Sequence, residues 1–148
     1  MAVIMTKDQI ETILPQRSPM LLLDEVTGLM PGDQVVASFT IPSEAPWLEG
    51  HYPAYPVTPG FMVLEICFQA LQICVLAVPE NKDKDMFLME ANKIKFSGRA
   101  LPGDKVDVSV KINKNKGDIF TARCSAEVGG KALASAEIVS SISSSGLQ

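Results

Sequence analysis

Histidine is nearly absent from this chain: His51 is the only one among 148 residues. A metal centre therefore finds no support, because no second histidine and no ligand-spaced acid or thiol accompanies it. Cysteine is scarce as well. Cys67, Cys74 and Cys124 are an odd set without metal-ligand spacing. Cys67 and Cys74 lie seven apart in an apolar run and read as small packing groups, in a protein of a reducing, cytoplasmic compartment. No G-x-S-x-G elbow occurs, and no cysteine stands near His51 in sequence, so nucleophile arrangements of those kinds have no basis. Positive charge is limited too. Thirteen Lys and Arg against 17 Asp and Glu leave a net charge of -4, which argues against a nucleic-acid partner. The first six residues lack a charged region leading into an apolar core, so no signal peptide is read.

What is present favours a folded domain. The composition is 47% hydrophobic and 20% charged, outside the range of disordered chains. The length suits a single domain over 1–148, with the small, polar stretch 143–148 read as a disordered tail. The longest apolar run, Gly60 to Val78, approaches the ~20 residues of a membrane span. Glu65, Gln69 and Gln72 interrupt it, and a central carboxylate costs roughly 2.5–3.5 kcal/mol on insertion. A core helix is the better reading, and no membrane span is expected.

Along the chain, Thr6 and Gln9 have the form of a capping box before Ile10, Ile13 and Leu14. Pro15 ends that helix. Met20 to Met30, the turn Pro31-Gly32-Asp33 and Gln34 to Ile41 predict an antiparallel hairpin. Pro42 to Pro59 is too rich in proline for regular structure and reads as an ordered surface loop. After the helix and a charged connection, strands are expected over Met86 to Phe96, broken at Asn92, and over the alternating residues Val106, Val108, Val110 and Ile112. A turn is read over Asn113 to Asp118. Phe120 to Val128, a Gly129-Gly130 turn and Lys131 to Ile142 complete the series. One long apolar helix with five to seven antiparallel strands is an α+β domain. A helix apolar nearly all round requires a sheet that wraps it.

Within that helix the polar residues share one stripe. At 100° per residue, Gln69 lies about 40° from Glu65 and Gln72 about 20° on the other side. The stripe reads as a solvent edge, a subunit interface or the wall of a cavity. In a cavity the Glu65 carboxyl would be made less acidic by desolvation, as suits a proton donor near neutral pH. His51 alone reads as a surface or hydrogen-bonded residue more readily than as a catalyst. At the helix start, Pro59 suits the first turn, and Gly60 offers an N–H unshielded by a Cβ, a donor for an oxyanion or polarised carbonyl.

Together these residues resemble a known family. His51-Tyr52-Pro53-x-x-Pro56-x-x-Pro59-Gly60, then Glu65 and Gln69, is similar to the motif H-F-P-x-x-P-x-x-P-G-x-x-x-x-E-x-x-x-Q of the FabZ-type 3-hydroxyacyl-acyl-carrier-protein dehydratases. Leu14-Pro15-Gln16-Arg17-x-Pro19 with Leu22, Leu23 and Asp24 resembles that family's L-P-H-R-x-P…L-L-D opening. Lys93-x-Lys95-Phe96 and Pro102-Gly103-Asp104 resemble its K-A-R-F…P-G-D segment. The resemblance implies a hotdog fold, a curled antiparallel β-sheet around a long central helix. It implies homodimers that pair their sheets, often as trimers of dimers, with His51 of one subunit meeting Glu65 of the other. Gln16 stands where the family often has histidine, Tyr52 replaces phenylalanine, and Glu90 falls near a place that is usually small or apolar. These departures bear on the shape of the acyl tunnel.

The activity so implied is dehydration of a 3-hydroxyacyl thioester on an acyl carrier protein, with no metal and no cofactor. His51 would take a C2 proton, Glu65 would protonate the departing hydroxyl, the Gly60 N–H would hold the thioester carbonyl, and Gln69 would fix Glu65 or a water beside it. The sequence leaves the acid and base roles interchangeable. Phe61, Leu64, Phe68, Phe87 and Phe96 are candidates to line an acyl tunnel, each equally readable as core. Arg17, Lys93, Lys95 and Arg99 are candidates for a basic rim facing an acidic carrier protein, with an ordinary solvated face as the competing reading. A hotdog thioesterase and a non-catalytic acyl-binding subunit are the alternative functions.

Overall fold

A computed structural model describes residues 2–144. The chain opens with a short strand β1 (Met5–Thr6) and a short helix α1 (Lys7–Glu11), started by the expected box: the Thr6 N–H donates to Gln9 Oε1 at 2.8 Å. The strands β2 (Glu25–Met30) and β3 (Gln34–Thr40) follow as an antiparallel hairpin. After a long loop comes the helix α2 (Gly60–Leu76), then a single 3-10 turn over Pro79–Asn81. Four strands complete the fold, β4 (Asp85–Phe96), β5 (Lys105–Lys116), β6 (Ile119–Val128) and β7 (Lys131–Ser143). They make one seven-stranded sheet in the order β1-β2-β3-β5-β6-β7-β4, every pairing antiparallel.

Alternation of side chains aims one face of this sheet at α2. Val106, Val108 and Val110 of β5 are buried, as are Phe120, Ala122, Cys124 and Ala126 of β6. Ala134, Ala136, Ile138 and Ile142 do the same from β7. The alanines take little room, so the sheet closes tightly on the helix. α2 lies against β3, β4, β5, β6 and β7, and Ile66, Ala70, Leu71, Ile73, Cys74 and Val75 are fully buried. Each such Ile, Leu or Val contributes about 1.5–3 kcal/mol relative to an exposed position. The α+β, hotdog-type arrangement expected from the sequence is the one observed. Among the described residues no helix is long and apolar enough to cross a membrane.

Five boundaries differ from the sequence reading. α1 ends at Glu11, well before the Pro15 expected to end it. The first hairpin strand begins at Glu25 rather than Met20, because the backbone of Met20 and Leu22 is bonded to a side chain of α2 instead of a neighbouring strand. The turn expected from Asn113 is strand as far as Lys116: a register shift between Ile112 and Lys114 lets the β5–β6 ladder continue through polar residues on both faces. At Asn92, β4 shifts register but does not break. Ser143, assigned to the tail, belongs to β7 and pairs with Asp85; the rest of that tail, from 145 on, lies outside the described residues. The proline-rich loop is ordered, as expected, but it also contributes to the core through Ala45 and Leu48.

Candidate active site

The loop before α2 is fixed at both ends. The Trp47 indole N–H donates to Thr58 Oγ1 at 2.9 Å, and the Thr58 N–H donates to the Ala100 carbonyl at 2.8 Å. His51 sits within this frame. Its Nδ1 lies 2.8 Å from the Val57 carbonyl oxygen, and the Val57 N–H returns a 2.8 Å bond to the His51 carbonyl. A carbonyl can only accept, so Nδ1 carries the proton and Nε2 of the neutral ring keeps its lone pair. The Tyr52 ring stacks on the imidazole with centroids 4.2 Å apart.

Pro59 caps α2 and Gly60 begins it. As the first helical residue, Gly60 has no carbonyl one turn earlier to accept its N–H. The flank that a side chain would occupy is filled by Phe96: a Cβ on Gly60 would stand 2.8 Å from the phenyl Cε1. The glycine thus admits an aromatic ring against the helix start, whereas the sequence reading gave its lack of a Cβ only the role of leaving its N–H open. Beside it is a cavity of about 330 Å³, lined by Val57, Gly60, Phe61, Phe96, Arg99 and Leu133 among others. Val57 links this cavity to His51 by the bond just described.

Glu65 lies one and a half turns further on, half-buried. Burial raises its carboxyl above the usual carboxylate range; the Gln69 amide, and less strongly that of Gln16, draw it part of the way back. Gln69 Nε2 donates to Glu65 Oε2 at 2.8 Å and to the Met20 carbonyl at 2.7 Å, while Gln69 Oε1 accepts the Leu22 N–H at 2.9 Å. Gln16 Nε2 donates to Gln72 Oε1 at 2.6 Å. Gln69 and Gln72 are 0% and 2% exposed. The polar stripe is therefore no solvent edge: the segment Gln16–Leu22 covers it.

The structure groups the remaining candidates unevenly. Phe61 and Phe96 are exposed and border the cavity, whereas Phe68 is core and Leu64 is half-buried against it. Phe87 is exposed on β4, away from the cavity lining. Of the four rim candidates Arg99 lines the cavity. Lys93 approaches Glu137 at 3.9 Å across the β4–β7 pair, and Lys95 is exposed on β4. Arg17 serves its own loop, donating to the carbonyls of Glu11, Leu14 and Gln16 and pairing with the Glu11 carboxylate. Glu90 is exposed at a register shift of β4. All three cysteines are free and buried, and no cluster of His, Cys, Asp and Glu that could hold a metal occurs among the described residues. Sequence reasoning missed the contacts of Gln16, Gln72, Trp47 and Thr58; each joins positions too far apart for any local pattern to signal.

Among the described residues no hydrogen bond or ion pair joins His51 to Glu65 within the chain. The two groups are built separately, one on the loop and one under the segment Gln16–Leu22.

Residues 14–137 match the FabA-like domain. The chain belongs to this family. Its relatives include the 3-hydroxyacyl-[acyl-carrier-protein] dehydratase FabZ of Oceanobacillus iheyensis, 37% identical over 138 residues, which are 93% of this chain and 99% of that protein. The FabZ of Ruminiclostridium cellulolyticum is 35% identical over 134 residues, covering 90% and 94%. Among solved structures, the dehydratase heterocomplex ApeI:P from Xenorhabdus doucetiae superposes with a TM-score of 0.78 at 16% identity, over 89% of both chains. A hypothetical thioesterase from Streptococcus pneumoniae, solved with coenzyme A, gives 0.63 at 12% identity, over 81% of this chain and 85% of that one. The FabA-like assignment thus rests on sequence over most of the chain, and the solved structures add agreement of fold.

Proposed function

We propose that the protein is a hydro-lyase that dehydrates 3-hydroxyacyl thioesters on acyl carrier protein to trans-2-enoyl thioesters, in fatty acid biosynthesis. The observation that carries this reading is the state of Glu65: a carboxyl made less acidic by burial and aimed by Gln69, in a family whose relatives are dehydratases. His51 Nε2 removes a C2 proton. The Gly60 N–H holds the thioester oxygen as the C2 electron pair spreads onto it. The pair then forms the C2–C3 double bond as the C3–O bond breaks, and Glu65 gives its proton to the departing hydroxyl, which leaves as water. The proton on His51 returns to Glu65 through solvent, closing the cycle. The acyl chain lies along the cavity beside Phe61 and Phe96, and the Arg99 edge faces the acidic carrier.

In the same reading the working unit is a homodimer, with dimers grouped in threes, and residues 1–148 act as one domain in the cytoplasm, where buried free thiols persist. The edge strand β4 supports the dimer. Phe87, Leu88, Met89, Ile94 and Phe96 are all more than a third exposed there. An unpaired edge with that much apolar surface suits a second copy. His51 of one copy would then meet Glu65 of the other.

The test is incubation with 3-hydroxybutyryl carrier protein followed by intact mass. Loss of one water from the carrier species is expected. Release of free thiol would instead make the protein a thioesterase, and an unchanged mass would make it an acyl-binding subunit.

A further inference from the structure

Gln16 and its partner Gln72 belong to the polar cluster around Glu65, yet the proposed reaction uses neither. Its backbone is pinned, because Arg17 Nη1 donates to the carbonyls of Leu14 and Gln16 at 2.8 Å each. Its side chain reaches across to α2 and Gln72. Its Oε1 is buried and meets no donor, the one such side-chain atom among the described residues. A buried acceptor left unpaired costs about 1–3 kcal/mol. In that orientation its donor end is used by Gln72 Oε1, and its amide also acts on the Glu65 carboxyl.

We propose that Gln16 is a positioning residue for Glu65, a carboxamide that turns with the proton Glu65 gains and loses. The inference rests on the reading of Glu65 as the acid of a dehydratase. Its basis is a contrast between two amides. Gln69 has both ends tied to backbone, to Leu22 N–H and Met20 carbonyl, and so presents only N–H to Glu65. Gln16 is tied at one point, to another carboxamide. If Gln16 and Gln72 both turn over, their mutual bond survives with its direction reversed, and Gln16 Oε1 then faces Glu65. It can accept the O–H of the neutral acid as its Nε2 donates to the carboxylate. A bond to the charged carboxylate is the stronger of the two, so the net effect of Gln16 favours ionisation of Glu65. Among the described residues, burial and the amides of Gln69 and Gln16 set the state of Glu65, with no charged group among the causes. From α2 it faces Gln69 and from the covering segment Gln16, while Arg17 is bound to carbonyls and Glu11, and Asp24 is bound to Lys7 and the Thr40 N–H.

The test compares Gln16→Met, Gln16→His and Gln72→Leu with the native dimer. The readouts are the carboxyl ¹³C titration of Glu65 and the pH profile of dehydration. In Q16M, Glu65 is expected to ionise at higher pH, with kcat falling about tenfold and KM unchanged. The alkaline limb of kcat should move upward with the titration. Q16H, whose neutral ring offers one donor and one acceptor nitrogen, should recover most of the rate. Q72L should follow Q16M more weakly. A Q16M protein whose Glu65 titration and kcat match the native ones overturns the inference, as does a Q16M defect that Q16H leaves unrepaired. The titration needs no turnover, so it decides the Gln16–Glu65 coupling even if the native protein proves not to be a dehydratase.

Discussion

His51 and Glu65 occupy opposite kinds of surroundings. The histidine stands in a proline-rich loop and is oriented by a single backbone carbonyl, with its second nitrogen open. The glutamate stands in a helix without another charged residue, under a covering segment, and its neighbours are side-chain amides. Both are half-buried, but one is set by backbone geometry and the other by desolvation and an amide network. In the roles proposed for them, the difference teaches that a proton acceptor and a proton donor need different amounts of protein. An acceptor needs the right tautomer and an open lone pair. A donor near neutral pH needs desolvation, which only the core of the fold supplies.

The strongest way to break this contrast is to remove each group. His51→Ala and Glu65→Gln should each lower kcat for 3-hydroxyacyl dehydration by roughly 10²–10⁴-fold, checked by enoyl absorbance. Mixing the two inactive variants, unfolding and refolding them together, should restore about a quarter of native activity if the pair is shared between copies. Activity that stays at the level of the single variants would mean that each site is built from one chain.

Gln69→Leu is next in size. It leaves the Leu22 N–H and Met20 carbonyl without partners, and the expected loss of stability is about 2–4 kcal/mol by urea denaturation. Trp47→Phe strikes the histidine side instead. Losing the bond to Thr58 should cost about 1 kcal/mol and lower kcat more than stability, measured by the same melts and assays.

The smallest effect concerns pH. The folded protein holds the Glu65 proton more tightly than the unfolded chain does. Stability from this group is therefore complete below the unfolded carboxyl range and declines as pH rises toward the folded value. Glu65→Gln removes that decline. Its melting temperature should gain on the native protein between acid and neutral pH, and scanning calorimetry at the two ends checks the sign.

The periodic parts of the fold were legible. Val106, Val108 and Val110 announce β5 by alternation, and the unbroken apolarity of Gly60–Leu76 announces a helix enclosed by sheet. Two misreadings share a cause. Met20 to Leu23 has the composition of a strand, but Gln69, 47 residues from Leu22, claims its backbone. Asn113 to Lys116 has the composition of a turn, but the ladder with β6 carries it as strand. Local composition cannot report a partner so distant. The same holds for the site. His51, Gly60 and Glu65 fall within one stretch and were found together, whereas Gln16 meets Gln72 across 56 residues.

The place of β4 at the edge of the sheet has a consequence for how the protein comes to be made. Within the chain β4 pairs with β7 alone. A ribosome releases β4 well before β7, so β4 must wait for the last strand of the sheet before it has a neighbouring strand. Contacts between strands so separated form late and slowly. The hairpin of β2 and β3 can close as soon as it emerges. The strand proposed to meet another copy is thus among the last to be secured in its own sheet, and the proposed assembly would follow completion of the chain.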